Sequence, residues 1–246
     1  MADPLRMTPF LTALIDFFFP PKCLLCGESL GEFPDDHPCP LCTERMKFFS
    51  HPRCPCCGLG FGDTPGEDHL CSTCLTEDRH FTRSRAIGPY EGLMAEAIHR
   101  FKYQGASRLA KVLGTFLAEY KDPEFPFSAF ELILSVPLHP RRLRQRGFNQ
   151  SLLLARRVSR THSIPLDFTA LRRTRHTEPQ TQLSGPERQK NIHGAFEVGR
   201  PEVIAEKHIL LIDDVFTTGA TVQECAKVLL RAGARQVDVL TLARAL

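Results

Sequence analysis

Asp213 and Asp214 are adjacent carboxylates, and three residues further on begins the hydroxyl-rich run Thr217-Thr218-Gly219-Ala220-Thr221. Carboxylates accept hydrogen bonds from sugar hydroxyls. A small turn that opens a helix offers free backbone N–H groups and hydroxyls where an anion is favoured. Gly219 lets the backbone approach such an anion closely. Together these residue types suit a phosphorylated sugar, held by its hydroxyls at one end and its phosphate at the other. The flanking sequence supplies the frame. Ile209 to Ile212 is wholly apolar, as expected of a strand buried on both faces of a parallel sheet, and the acidic pair falls where that strand would end. Val222 to Arg231 has helical periodicity, closed by Gly233. There is no Gly-x-x-x-x-Gly-Lys-Ser/Thr and no well-placed Gly-x-Gly-x-x-Gly, so P-loop and dinucleotide chemistry have no support.

A second set of chemistry-bearing residues stands at the front. Nine of ten cysteines lie between Cys23 and Cys74, eight of them in Cys-x-x-Cys pairs: Cys23/Cys26, Cys39/Cys42, Cys54/Cys57 and Cys71/Cys74. Cys23 and Cys54 are 31 residues apart, as are Cys26 and Cys57, so the unit is duplicated. Each unit, taken in sequence order, offers four thiolates to one tetrahedral Zn²⁺, which leaves no open position and makes the ion structural. The absence of a secretory signal disfavours the competing disulfide reading and points to the cytoplasm. Cys56 is the odd thiol, and His37, His51 and His69 read as surface residues. Ribbons this small fold with their metal. The polar segment Thr76 to Arg85 reads as a linker, dividing the chain into 1–80 and 81–246.

The 246-residue chain has a net charge of +3. From His139 to His176 there are ten arginines and one carboxylate, Asp167, so that segment carries +9 and the remainder −6. Such a block points to a polyanion: diphosphate, nucleic acid or both. No stretch reaches the roughly 18 apolar residues of a membrane span. The mostly apolar Phe10 to Phe19 is interrupted by Asp16 and reads as an amphipathic helix, with membrane attachment as the alternative.

The second part alternates helices and strands, which argues for a parallel sheet built of right-handed βαβ units. Tyr90 to Tyr103 carries a helical stripe of Leu93, Met94, Ala97, Ile98 and Phe101; Ser107 to Tyr120 carries another. The turn Lys102 to Gly105 is a candidate site loop. Leu132 to Val136 reads as a second buried strand, followed by an Arg-rich loop suited to diphosphate. Asn149 or Ser151 caps the next helix. Thr174 to Asn191 has no periodicity and reads as a functional loop. Ala195 to Val198 and Gln236 to Leu242 read as strands.

The apolar strand, Asp-Asp and Thr-Thr-Gly-x-Thr resemble the phosphoribosyl-diphosphate (PRPP) motif of type I phosphoribosyltransferases. With Phe101-Lys-Tyr-Gln-Gly105, Arg146-Gly-Phe-Asn-Gln150, Thr177-x-x-Gln180, Arg188-x-x-Asn191, Ala195-Phe196 and the cysteine ribbons, nearly the whole chain resembles the ComF family of competence-associated proteins. Ser135-Val-Pro-Leu-His139 departs from the family's usual Pro-Val-Pro-Leu-His.

The resemblance implies an α/β, type I phosphoribosyltransferase-like parallel sheet flanked by helices and preceded by a small double zinc-ribbon module. It implies that Asp213 and Asp214 hold the ribose hydroxyls and act catalytically, while Thr217, Thr218, Gly219, Ala220 and Thr221 hold the 5-phosphate. Pro137, Leu138, His139, Arg141 and Arg146 are the implied diphosphate site, with a strained non-proline peptide, a candidate for the cis form, near its start. Arg188 and Lys190 fall on a closing loop, and Mg²⁺ accompanies PRPP. The implied partners are PRPP, single-stranded DNA and competence or DNA-uptake proteins. Two functions fit: a phosphoribosyltransferase of unidentified acceptor, or a non-catalytic PRPP-sensing scaffold that binds DNA, with Tyr103 and Phe148 as stacking faces. A membrane-apposed import component using Leu11 to Phe19 is a third.

Overall fold

A strand without polar side chains must be covered on both faces. Ile209–Ile212 is used in this way in the computed structural model, which describes residues 20–31, 33–62, 65–175, 177 and 190–245. The expected helix at Phe10 to Phe19, Gln180 and Arg188 lie outside the described residues. Five strands, all parallel, form one sheet in the order β1 (Arg83–Pro89), β7 (Gln236–Arg244), β6 (His208–Phe216), β2 (Leu132–Ser135) and β3 (Leu166–Asp167).

Alternate side chains divide between two cores. Ile133, Leu210, Ile212, Leu240 and Leu242 face α3 (Gly92–Tyr103), α4 (Leu109–Ala118) and α6 (Gln150–His162). Leu134, Ile209, Leu211, Val237 and Val239 face α8 (Ala220–Arg231), the helix that follows the one-turn α7 (Pro201–Ile204). All ten are almost wholly buried, and each contributes about 1.5–3 kcal/mol of hydrophobic stabilisation. α3 buries the expected stripe of Leu93, Met94, Ala97, Ile98 and Phe101. α6 begins at Asn149, whose side chain accepts from the N–H groups of Ser151 (3.0 Å) and Leu152 (3.4 Å). α8 ends in a Schellman motif: Ala234 N–H donates to Leu229 at 3.1 Å and Gly233 N–H to Leu230 at 3.0 Å, with Gly233 at φ 94°.

The structure corrects the sequence reading in five places. β6 does not end at Ile212. On its β2 side pairing stops at Ser135↔Ile212, but on its β7 side it continues through Asp213↔Thr241 to Phe216↔Arg244. The Arg-rich segment after Pro137 is not a loop but a helix, α5 (Pro140–Arg146), with His139 at the N-cap and Gly147 at φ 83° closing it. Proline in the first turn followed by good helix formers explains this. Phe196–Val198 (β5) pairs antiparallel with β4 (Leu171–Arg173) in a separate two-stranded sheet. Arg83 to Arg85 belong to β1, not to a linker. Among the described residues the cis peptide is His51–Pro52, so Val136 to Arg141 is trans.

The cysteine units repeat in space as they do in sequence. Each first knuckle is closed by an antiparallel bridge, Lys22↔Ser29 in one and Arg53↔Gly60 in the other. A short helix lies at each second knuckle, α1 (Pro40–Arg45) and α2 (Ser72–Thr76). The ribbons are not free-standing. Phe49 N–H donates to Ile87 at 2.9 Å, and the β1 amide of Ser84 donates to Cys56 at 2.7 Å. Ribbon backbone therefore covers the β1 edge, which would otherwise invite pairing with another chain. Gly88 is required there, because a Cβ would lie 2.1 Å from the Lys47 carbonyl oxygen. A buried ion cluster locks the joint: Arg53 donates to Asp122 at 2.6 Å and to the Tyr120 hydroxyl at 2.9 Å, and Arg85 donates to Asp122 at 2.8 Å. Burial pushes the Asp122 carboxyl up, but the Arg85 and Arg53 guanidinium groups outweigh it and hold the group below its usual range. Among the described residues no helix is long and apolar enough to cross a membrane.

Candidate functional site

β2 hands on to α5, α6 and β3, while its neighbour β6 hands on through α8 to β7 on the other side. Their connections diverge, so a crevice opens beyond their carboxyl ends, where ligands bind in open α/β sheets. It is a cleft of about 450 Å³. Its β6 wall holds Asp213, Asp214, Thr217, Gly219 and Thr221; its β2 wall holds Val136, Pro137 and Leu138. Because β6 outruns β2, both carboxylates stand in the gap that β2 leaves.

The acidic pair is buried and asymmetric. Asp213 Oδ1 accepts from the Ser151 hydroxyl and from the Asp214 N–H, each at 2.9 Å. Asp214 Oδ1 pairs with Lys102 Nζ at 2.8 Å, and its Oδ2 is buried without a hydrogen-bond partner among the described residues. Burial, then the Asp214 charge, push the Asp213 carboxyl up to about 7; Lys102 and the Ser151 hydroxyl act the other way. Burial pulls the Lys102 ammonium down, but Asp214 and then Asp213 outweigh it and raise it. Lys102 closes α3 in the turn flagged as a site loop, and Ser151 is one of the two flagged caps; neither role at the carboxylates was legible from sequence.

The hydroxyl-rich turn follows directly. Gly219 sits at φ 79° as the N-cap of α8, a conformation that disfavours other residues. Thr218 Oγ1 accepts from the Ala220 N–H at 3.4 Å. Thr217, Gly219 and Thr221 line the cleft; Thr218 and Ala220 do not.

Facing the acidic pair is a cationic wall. Arg142 and Arg146 from α5 and Arg173 from β4 all line the cleft. Arg142 donates to the Thr177 carbonyl at 3.2 Å, and Arg173 to the Thr177 hydroxyl. Burial, then the charge of Arg142, lower the Arg173 guanidinium to about 10; burial, then Arg146, lower Arg142. Among the described residues none of the three has an ion-pair partner. Arg141 and His139 lie outside the cleft, and Arg141 is exposed. The +9 segment thus splits three ways. Arg142, Arg146 and Arg173 enter the cleft, Arg157 pairs with Asp36 of the first ribbon at 2.7 Å, and Arg141, Arg144, Arg156, Arg160, Arg172 and Arg175 are exposed. Arg142 belongs to the Arg-rich segment expected to meet diphosphate, whereas Arg173 stands out in the sequence only as a member of the basic block; the alternation Leu171-Arg172-Arg173 is the signal that could have turned it inward. Tyr103 is 61% exposed at the cleft, with the Arg146 guanidinium 5.2 Å above its ring. Phe148 packs on Phe101 instead.

At the front, Cys23, Cys26, Cys39 and Cys42 form one cluster and Cys54, Cys57, Cys71 and Cys74 the other, with the sulfurs of each within 4.8 Å of one another. Sulfur pairs at 3.9 Å (Cys23/Cys42) and 3.6 Å (Cys26/Cys39, Cys57/Cys71) match the edge of about 3.8 Å of a tetrahedron with Zn–S bonds near 2.3 Å. All-thiolate donors with no carboxylate fit structural zinc.

Residues 14–75 match the double zinc ribbon domain, and residues 149–246 match the phosphoribosyl transferase domain. The DNA utilization protein YhgH of Escherichia coli K12 is 37% identical over 182 residues, covering 72% of this chain and 79% of that protein. Competence protein F of Haemophilus influenzae is 32% identical over 179 residues, covering 71% of this chain and 78% of that protein. Competence protein ComFC of Streptococcus pneumoniae is 32% identical over 164 residues, covering 65% of this chain and 67% of that protein.

Proposed function

The chain belongs to the ComF family, in which a double zinc ribbon precedes a phosphoribosyltransferase domain, and from that membership we propose that its cleft binds Mg-PRPP in the service of DNA uptake or utilisation. The carrying observation is the polarity of the cleft: three arginines without ion partners among the described residues face a buried carboxylate pair, beside a hydroxyl-rich turn at a helix N-terminus. A ligand with two anionic ends and hydroxyls between them matches each wall.

In this reading the turn from Thr217 to Thr221 receives the 5-phosphate. Asp213 and Asp214 accept the ribose hydroxyls and favour positive charge on the sugar as diphosphate departs. The backbone from Val136 to Leu138, with Arg142, Arg146 and Arg173, receives the diphosphate, where planar guanidinium groups pair two oxygens at once. Mg²⁺ would neutralise diphosphate charge while keeping several waters. Lys102 pairs with Asp214 Oδ1, which leaves Oδ2, without a partner among the described residues, to accept from the sugar. The exposed arginines Arg141, Arg144, Arg156 and Arg160 supply a surface for single-stranded DNA, which would draw PRPP chemistry and DNA to one molecule. Reduced, metal-loaded thiolates accord with a cytoplasmic setting.

Calorimetry tests the site. Mg-PRPP is expected to bind the wild type and to lose measurable affinity when Asp213→Asn and Asp214→Asn are combined; undiminished binding in the double variant would reject the assignment. Diphosphate release in the presence of candidate acceptors then separates an enzyme from a sensor.

A further inference from the structure

Phe216, the last residue of β6, forms the floor of the phosphate turn. A Cβ placed on Gly219 would lie 2.5 Å from the Cζ atom of that ring, so ring and turn are in direct contact. The ring is clamped from two sides. Phe81 meets it edge-on, with centroids 6.0 Å apart at 86°. The Arg244 guanidinium lies 4.3 Å over it. Arg244 is Phe216's register partner on β7, and its Nη1 donates to the carbonyl of Cys57 at 2.9 Å. Among the described residues its Nε is buried without a hydrogen-bond partner and the side chain has no ion pair. Among the described residues the Cys57 carbonyl and the Phe216 ring are the contacts that hold this guanidinium. Cys57 belongs to the second cysteine tetrad. A knuckle of this size holds its backbone only with its metal in place.

We infer that Arg244 is a positioning residue through which the second zinc ribbon sets the shape of the phosphate turn, so that the ribbon is part of the sugar-phosphate site and not a separate appendage. The inference rests on the reading of Thr217 to Thr221 as the 5-phosphate site. Its consequence is selective. Losing the clamp should loosen the turn beneath the 5-phosphate and leave the diphosphate wall, built from β2, α5 and β4, as it was.

The test measures ribose 5-phosphate, Mg-PRPP and inorganic diphosphate binding by calorimetry on wild type, Arg244→Met and Arg244→Lys, with zinc per chain determined for each. For Arg244→Met, ribose 5-phosphate and Mg-PRPP are expected to weaken about tenfold, while diphosphate affinity and zinc content stay at wild-type values. Arg244→Lys should behave alike, because a compact ammonium cannot cover the ring and reach the carbonyl as a planar fork does. If Arg244→Met does not fold, Phe216→Leu, which lowers the floor under Gly219, carries the same expected split. Equal weakening of ribose 5-phosphate and diphosphate, or no weakening of either, overturns the coupling while leaving the proposed site intact. Failure of the wild type to bind any of the three ligands overturns the site, and the coupling with it.

Discussion

Replacing Asp213 by Asn in the unliganded protein is expected to stabilise the fold while removing sugar-phosphate binding. The side chain is buried, and burial together with the neighbouring Asp214 charge pushes its carboxyl up to about 7; in the unfolded chain it titrates near 3.9. Between those values the folded state holds a proton that the unfolded state has released. The contribution of Asp213 to wild-type stability therefore falls as pH rises from about 4 to about 7 and is flat above, by a total of about 4 kcal/mol. Asn has nearly the same shape, can still accept from the Ser151 hydroxyl and the Asp214 N–H, and has no proton to lose. The gap between variant and wild type should thus widen by about 2–3 kcal/mol from pH 5 to pH 8. At roughly 2–4 °C per kcal/mol for a chain of this size, that is a widening of about 5–10 °C in Tm. Protonation of the zinc thiolates affects both proteins alike and cancels in the difference. Thermal unfolding at four pH values, paired with PRPP calorimetry, makes the measurement. A difference that does not change with pH, or a destabilisation that grows toward pH 8, would refute the argument that the site stores an unfavourable carboxylate for function.

Arg173→Met should weaken Mg-PRPP by at least about tenfold, from the loss of charge-assisted hydrogen bonds worth about 1.5–3 kcal/mol, yet leave Tm unchanged or raised because it relieves repulsion with Arg142. Asp122→Ala strands the Arg53 and Arg85 guanidinium groups, 6% and 1% exposed; the expected cost is about 3–5 kcal/mol, read as a fall in denaturation midpoint. Cys71→Ser should reduce zinc from two ions to one per chain by metal analysis and, because that ribbon covers the β1 edge, increase protease sensitivity of the whole protein. Combining Arg156→Ser with Arg160→Ser should weaken single-stranded oligonucleotide binding and lower its salt slope by about 1.4, on about 0.7 per phosphate contact, with PRPP affinity retained; an unchanged slope would remove α6 from the DNA surface.

Much of this protein is legible in its sequence because the relevant signals are local. The 31-residue offset between the cysteine pairs carries over to the bridges Lys22↔Ser29 and Arg53↔Gly60. The stripe on α3 is the buried set, and Asn149 and Gly233 start and stop helices where their own conformational preferences dictate. Asp213, Asp214 and the Thr-rich turn are adjacent in the chain, so no folding event is needed to bring them together. A local signal misleads where a neighbouring segment decides the outcome. β6 runs on past Ile212 because β7 keeps pairing with it after β2 has turned away, and α5 is a helix because its arginines are helix formers as well as charges.

Only the tertiary structure could choose among ten arginines. Arg142 and Arg173 are 31 residues apart and meet because β4, paired with β5 in a sheet separate from the parallel one, brings Arg173 to the cleft. Arg157, identical in type to its neighbour Arg156, is taken by Asp36 across the ribbon joint. Lys102 reaches Asp214 from the far end of α3. Composition and periodicity set which residues are charged and which face is apolar, since both are properties of short stretches of chain. Which charges meet depends on the order in which strands cross over, and that is decided by packing between segments more than a hundred residues apart, as when Arg244 meets the carbonyl of Cys57.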